Sequence, residues 1–206
     1  MEVKGFEIEG LVKVDNARVY GLDESIIASG YPMQIETFNM DEVDLIDKDY
    51  KRSKHLGNAV AGSGHDCFLK GIIVQFDLQV PEYIWRQLDR YHFIDYISSQ
   101  SKMHRITRID LDSVCNRYVY DEVKEILKSI IDKYEAETDT DKKKELFNEI
   151  IANTPGGLML TARMTTNYLQ LKSIINQRSN HKMQEWRYLC DWFKTLPMFK
   201  ELVCKK

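Results

Sequence analysis

A chain of 206 residues, 43% of them hydrophobic, is the size of one ordinary globular domain, and residues 1–206 are read as a single unit. A formal net charge of −3 excludes the strongly basic surface of a polymeric nucleic-acid binder, and no apolar run reaches the roughly 18 residues of a membrane span. The N-terminal MEVKGFEIEG lacks a signal-peptide core and Cys67, Cys115, Cys190 and Cys204 show no CxxC pairing, so reduced thiols and a cytoplasmic setting are expected.

Phe6, Ile8, Val12 and Val14 alternate with Glu7, Glu9 and Lys13, which predicts a half-buried strand with a slip near Gly10. Asp23 is placed as the cap of a short helix running through Ile27 and ended by Gly30 and Pro32. Asp41, Glu42, Asp44, Asp47 and Asp49 form an acidic, solvated segment, and residues 51–61 read as a helix weakened by Gly57. Val74, Phe76, Leu78 and Val80 then alternate with Ile73, Gln75, Asp77 and Gln79, the cleanest period of two in the chain, predicting a strand over 72–80.

Pro81 ends that strand and pre-sets φ for a helix start. Ile84, Leu88 and Tyr91 follow at i, i+4 and i+7, an amphipathic pattern. Arg86 and Arg90 stand four apart on the polar side, where like charges repel by about 0.2–0.5 kcal/mol. An anion between them or separate salt bridges would offset that. Ser98, Ser99, Gln100 and Ser101 form a polar run that leads to Lys102, His104 and Arg105. Such a set of donors suits a phosphate and a polar heterocycle; an exposed basic helix with a serine loop has the same composition.

Val123, Ile126, Leu127, Ile130, Ile131 and Tyr134 keep the helical period, a polar turn is expected over 138–144, and 145–152 continues as helix until Pro155-Gly156-Gly157. Further helices are expected over 158–178 and 182–193, the second carrying Trp186, Leu189 and Trp192. The fold class is therefore α+β, a small antiparallel sheet with long helices packed on it. Within the helix expected over 158–178, Asn167 and Arg178 share a face roughly 16 Å apart, with Leu171, Ile174 and Ile175 between them. That face fits a long ligand with a flat ring, and it fits a buried helix held by two polar anchors. His65 and Cys67 have no second pair at ligand spacing, so no metal is expected. Nothing in the sequence assigns Cys67 a base.

In their order along the chain these stretches resemble the flavin-dependent thymidylate synthases of the ThyX type. That family carries G-H-x-S-P-F-E-H, an alternating strand, P-x-x-x-x-R-Q-x-x-R-H-R and then S-x-N-E-x-S-x-R-Y. The counterparts are Gly64-His65-Asp66-Cys67-Phe68, the strand to Pro81, Arg86-Gln87, Arg90-Tyr91-His92 and the run ending in Ser101. Later L-P, T-x-N, F-x-x-L-R and A-Q-W-E-I are matched by Thr154-Pro155, Thr165-Thr166-Asn167, Arg178 and Met183-Gln184-Glu185-Trp186. The resemblance covers nearly the whole chain, least well over 106–150. Tyr91 and His92 replace the histidine and second arginine of the family's R-H-R, Ser98-Ser99 replace its Asn-Glu, and Met103 replaces its last motif arginine.

The resemblance implies reductive methylation of dUMP to dTMP, with methylenetetrahydrofolate as carbon donor and NADPH reducing a bound FAD. It also implies a homotetramer with sites at subunit interfaces. Carried over residue by residue, Arg178 and Arg90 are the catalytic positions, and Gln87, Arg90, Ser99, Gln100, Ser101 and Arg178 hold the nucleotide. His65, Tyr91, His92, Asn167, His181 and Lys182 line the flavin. A paralogue acting on another pyrimidine nucleotide, for example by hydroxymethylation, and a flavin- or nucleotide-binding protein without turnover are the alternatives that the replaced motif residues suggest.

Overall fold

The computed structural model describes residues 1–35, 44–60 and 62–204. The strands are β1 (Glu2–Val3), β2 (Phe6–Ile8), β3 (Val12–Tyr20), β4 (Ile73–Pro81), β5 (Ile94–Ser99) and β6 (Met159–Asn167). The helices are α1 (Leu22–Ala28), α2 (Asp47–Gly57), α3 (Glu82–Leu88), α4 (Lys102–Arg105), α5 (Leu111–Val114), α6 (Asp121–Ala136), α7 (Thr140–Asn153), α8 (Tyr168–Arg178), α9 (Gln184–Phe193) and α10 (Phe199–Val203). Among the described residues the strands form one antiparallel sheet in the order β1-β3-β4-β6-β5, with β2 also paired to β3. This is the α+β architecture expected from the sequence.

Alternation decides which face of the sheet is covered. Val14, Val19, Val74, Phe76, Leu78, Val80 and Met164 are buried on one side, where Trp186, Leu189, Phe193 and Phe199 from α9 and α10 meet them. Fully burying a side chain of this size contributes about 1.5–3 kcal/mol. The other face is polar, with Arg163 and Asp77 paired across it at 3.2 Å. A smaller core, around Ile106, Leu111, Cys115, Leu127, Ile150 and Leu158, holds α5, α6 and α7 together.

Several sequence expectations change. The strand with a slip at Gly10 is two strands of a hairpin; Gly10 turns the chain at φ 66° and Leu11 N–H donates to Ile8 O at 3.0 Å. Asp23 does not cap α1; Gly21 does, at φ 69°, where a Cβ would stand 2.5 Å from Gly71 O. The helix expected over 51–61 begins earlier, with Asp47 and Asp49 in its first turn. Asp41, Glu42 and Ala61 lie outside the described residues. Asp139 caps α7, accepting from Asp141 N–H at 3.1 Å and Lys142 N–H at 3.0 Å, so most of the expected turn is helix and only Thr138 and Asp139 lie outside one. α3 stops at Leu88, leaving Tyr91 beyond the helix, and only the second half of the serine run is a loop: Ser98 and Ser99 end β5, and Gln100 and Ser101 lead on to α4.

The largest difference is the helix expected over 158–178. Residues 159–167 are β6, paired along their whole length with β4 from Met159↔Pro81 to Asn167↔Ile73, and only then does α8 begin. Met, Leu and Ala favour helices in isolation, and the tertiary pairing overrides that preference.

Candidate functional site

Asn167 stands at the junction of β6 and α8. Its side chain accepts from Gln170 N–H at 2.9 Å and so caps the helix. Tyr168, Leu171, Ile174 and Ile175 bury one stripe of α8, which fixes the direction in which the helix delivers Arg178. There the Arg178 Nε–H donates to Tyr91 Oη at 2.7 Å and Nη1–H to Gln87 Oε1 at 3.4 Å. Its guanidinium lies 4.8 Å from the Trp186 ring centre and 5.5 Å from that of Tyr91. Trp186 Nε1–H donates to the same Gln87 oxygen at 2.9 Å. Every group that touches this cation is neutral. No described carboxylate pairs with Arg178, and its Nη2 has no partner among the described residues. It is a half-buried, oriented positive charge with donors to spare.

Beside it runs a cleft of about 780 Å³. Asn167 at the end of β6, with Ser173 and Gln177 of α8, forms one wall, Cys67 and Lys70 of the 3-10 turn Cys67–Gly71 another, and Phe93 also lines it. A buried ion pair holds the walls together. Lys172 Nζ donates to Asp66 Oδ2 at 2.7 Å, to Gly57 O at 2.8 Å and to Ala59 O at 2.9 Å, so its three N–H bonds are all used. Side-chain exposures of 8% for Lys172 and 4% for Asp66 place this pair in the interior.

The residues predicted for the site scatter unevenly. Gln87, Tyr91, Arg178 and His181 come together, with His181 edge-on to Trp186 and its Nδ1 accepting from Met183 N–H at 3.1 Å. Burial first, then the Arg178 and Arg187 cations, hold the His181 pKa below its ordinary value, so the imidazole is kept neutral. Asn167 belongs to the cleft, and His65 is exposed between Gly64 and Asp66, both on its lining. Arg90, His92 and Lys182 are exposed; Arg90 and His92 have no side-chain partner among the described residues.

Ser99, Gln100 and Ser101 are not part of this cluster. Gln100 N–H donates to Thr161 O at 2.9 Å and its Oε1 accepts from Thr161 N–H and from Arg105, while Phe93 O accepts from Thr166 Oγ1. Five residues along β6 separate those two attachments, about 17 Å at ~3.4 Å per residue. Arg86 finds Glu82 at 3.4 Å, which answers the like-charge question at Arg86 and Arg90 with a salt bridge on one side only.

Sequence reasoning missed Lys172, Asp66, Tyr83, Asn116 and Glu185. Tyr83 Oη donates to Glu185 and accepts from Asn116 Nδ2 at 2.8 Å, a buried network one turn before Gln87. Burial and the Glu185 carboxylate push the Tyr83 pKa upward, keeping it a donor. A signal for Lys172 was present. It occupies the i+4 slot of the stripe Tyr168, Leu171, Lys172, Ile175, where a cation faces the core.

No family model matches the chain, and no curated protein matches it at the level of sequence. Its structure is similar to that of the flavin-dependent thymidylate synthase ThyX from Helicobacter pylori complexed with FAD and dUMP. The TM-score is 0.65 and the identity 14%, over 96% of this chain and 98% of that one. A second structure of the Helicobacter pylori enzyme with FAD and dUMP gives a TM-score of 0.68 at 14% identity, over 94% and 97%. The fold is that of the flavin-dependent thymidylate synthases. The ThyX likeness takes in nearly all of both chains, so it extends across the sheet and the helical excursion between β5 and β6 as well.

Proposed function

We propose that this protein is a flavin-dependent, thymidylate synthase-type enzyme that binds FAD in the cleft and dUMP, or a related pyrimidine nucleotide, at Arg178. The observation that carries the reading is the uncompensated charge of Arg178, held by neutral partners beside a cleft of cofactor size. Small-molecule sites commonly occupy ~300–1,000 Å³. Amide and hydroxyl groups on Asn167, Gln170, Ser173 and Gln177 suit the polar edge of a flat ring, Phe93 and Leu169 suit its face, and Lys70 suits a phosphate. When bound, the flavin supplies the reducing equivalents that complete the methyl group, with NADPH as their source and methylenetetrahydrofolate as the carbon donor.

Arg178 orients the nucleotide and stabilises negative charge on its phosphate or pyrimidine, and the Trp186 and Tyr91 rings keep water from the guanidinium faces. No cysteine is required as a nucleophile; Cys190, pushed up to about 11 by burial, is a poor one. Ser99, Gln100 and Ser101 complete the site from a second copy of the chain, because within one chain they lie at and just beyond the end of β5, away from Tyr91. β5 is an edge strand with Tyr96 and Ile97 exposed, a surface suited to assembly into the homotetramer. Arg90, exposed in the single chain, joins the nucleotide site in that assembly.

Calorimetric titration of dUMP and then dCMP into wild type, Arg178→Ala and Arg117→Ala tests the reading. Arg178→Ala should weaken dUMP binding about ten- to a hundredfold, the loss of one charge-assisted contact in a partly dry pocket. Arg117, exposed and lying over the Tyr118 ring, is the control. Equal affinities for all three proteins would overturn the site, and dCMP binding without dUMP binding would move the activity to another pyrimidine nucleotide.

A further inference from the structure

Arg178 is the start of a directed chain of hydrogen bonds that ends in the cleft wall. A guanidinium can only donate, so Tyr91 Oη accepts from Nε–H at 2.7 Å and must turn its own proton elsewhere. It donates to Gln177 Oε1 at 3.0 Å, and Gln177 Nε2–H donates in turn to Ser173 Oγ at 3.3 Å. Gln177 and Ser173 both line the cleft, whereas Tyr91 and Arg178 do not. The other side of Arg178 is fixed, because Gln87 Oε1 is shared with Trp186 Nε1–H and Gln87 Nε2–H is tied to Tyr83 O at 3.3 Å. The adjustable part of the cage therefore faces the cleft.

We propose that Tyr91 is a positioning residue that couples occupancy of the cleft to the anion-binding strength of Arg178. A flat ligand that packs against Gln177 and Ser173 fixes the amide. The fixed amide holds the Tyr91 proton, and the hydroxyl oxygen is then the better acceptor for Arg178 Nε–H. The guanidinium is locked with Nη2 still unpartnered before the second ligand arrives, so the ordering cost of that ligand falls. Coupling of this kind is reciprocal: an anion on Arg178 must tighten the cleft ligand by the same factor. The inference rests on the FAD and dUMP reading above and adds the residue that links the two sites. The phenol stands where ThyX motifs carry histidine, so the relay belongs to this chain.

The experiment is a pair of dUMP titrations, without FAD and with saturating FAD, on wild type, Tyr91→Phe and Gln177→Ala. Wild type should bind dUMP about tenfold tighter when FAD is present. Tyr91→Phe keeps the ring over Arg178 and removes only the hydroxyl, and its ratio should fall to within about twofold of unity. Gln177→Ala breaks the chain at an exposed residue on the cleft side and should give the same loss, which decides the matter if the Phe variant unfolds. A purely structural role for Tyr91 would lower both affinities and leave their ratio intact. A wild type that binds both ligands independently, or variants that keep the wild-type ratio, overturn the relay and leave the functional reading standing. A wild type that binds neither ligand overturns both.

Discussion

Two cations six residues apart on α8 are held in opposite ways. Lys172, toward the start of the helix, donates to Gly57 O, Ala59 O and Asp66, and is buried with a carboxylate partner of its own. Arg178, at the end, is gripped by a phenol, an amide and two rings, none of which carries charge. A cation with every donor spent and its charge neutralised fastens one part of the fold to another. A cation oriented by neutral groups, with donors left over, is set out for an anion that arrives later. Burial alone does not separate the two; the inventory of partners does.

The contrast can be broken most sharply at Lys172. Lys172→Met leaves the Asp66 carboxylate buried and alone, and should cost about 3–5 kcal/mol in urea unfolding. Lys144→Met, which opens an exposed pair with Asp141, should leave the unfolding midpoint where it was. If both variants unfold alike, Lys172 is no clip. Arg178→Ala should show the reverse profile, a ten- to hundredfold loss of dUMP affinity with less than half the stability loss of Lys172→Met.

A smaller effect sharpens the picture of the cleft. Cys67 is exposed on its lining, Cys190 is fully buried, and burial also raises the Cys115 and Cys204 pKa values. Maleimide should therefore modify Cys67 first, and FAD at ten times its Kd should slow that reaction about tenfold by mass action. Unprotected labelling would place the flavin elsewhere. The smallest effect is at His181. Its pKa is depressed on folding, so the folded state resists the proton that the unfolded chain accepts. The stability it contributes is present above a pH of about 6.5 and is lost as pH falls toward its lowered folded value. His181→Gln should flatten the acid side of a plot of Tm against pH, and an unchanged slope would mean that the ring is not desolvated.

β4 was legible because Val74, Phe76, Leu78 and Val80 are large and apolar while Gln75, Asp77 and Gln79 between them are polar. β6 alternates in its burial from Thr161 on, but Ala162 and Thr166 occupy inward positions and Met and Leu bias the reading toward helix. Gln87, Tyr91 and Arg178 could be proposed from their order along the chain. Their meeting depends on α3 and α8 crossing the same sheet, which no local pattern encodes. Tyr83, Asn116 and Glu185 were invisible because a buried polar network needs its partners in space before any member looks unusual. Ser99, Gln100 and Ser101 stand apart from Tyr91 within one chain for the converse reason: neighbours in sequence leave Tyr91 along a strand that carries them away at its full rise per residue.

α3 begins without a side-chain cap, and carbonyls from the segment leading into β6 take that role. Leu158 O accepts from Glu82 N–H at 3.0 Å and Gly156 O from Tyr83 N–H at 3.1 Å. Divergence among relatives is therefore constrained unequally along this stretch. Additional turns on α6 and α7 extend a projection that is held chiefly by its own small core. One residue gained or lost between Thr154 and Leu158 slides both carbonyls off their N–H groups and swings Gln87 out of reach of Arg178. Lineages that lengthen or trim the excursion should keep its last five residues at constant length, even where none of the side chains there is shared.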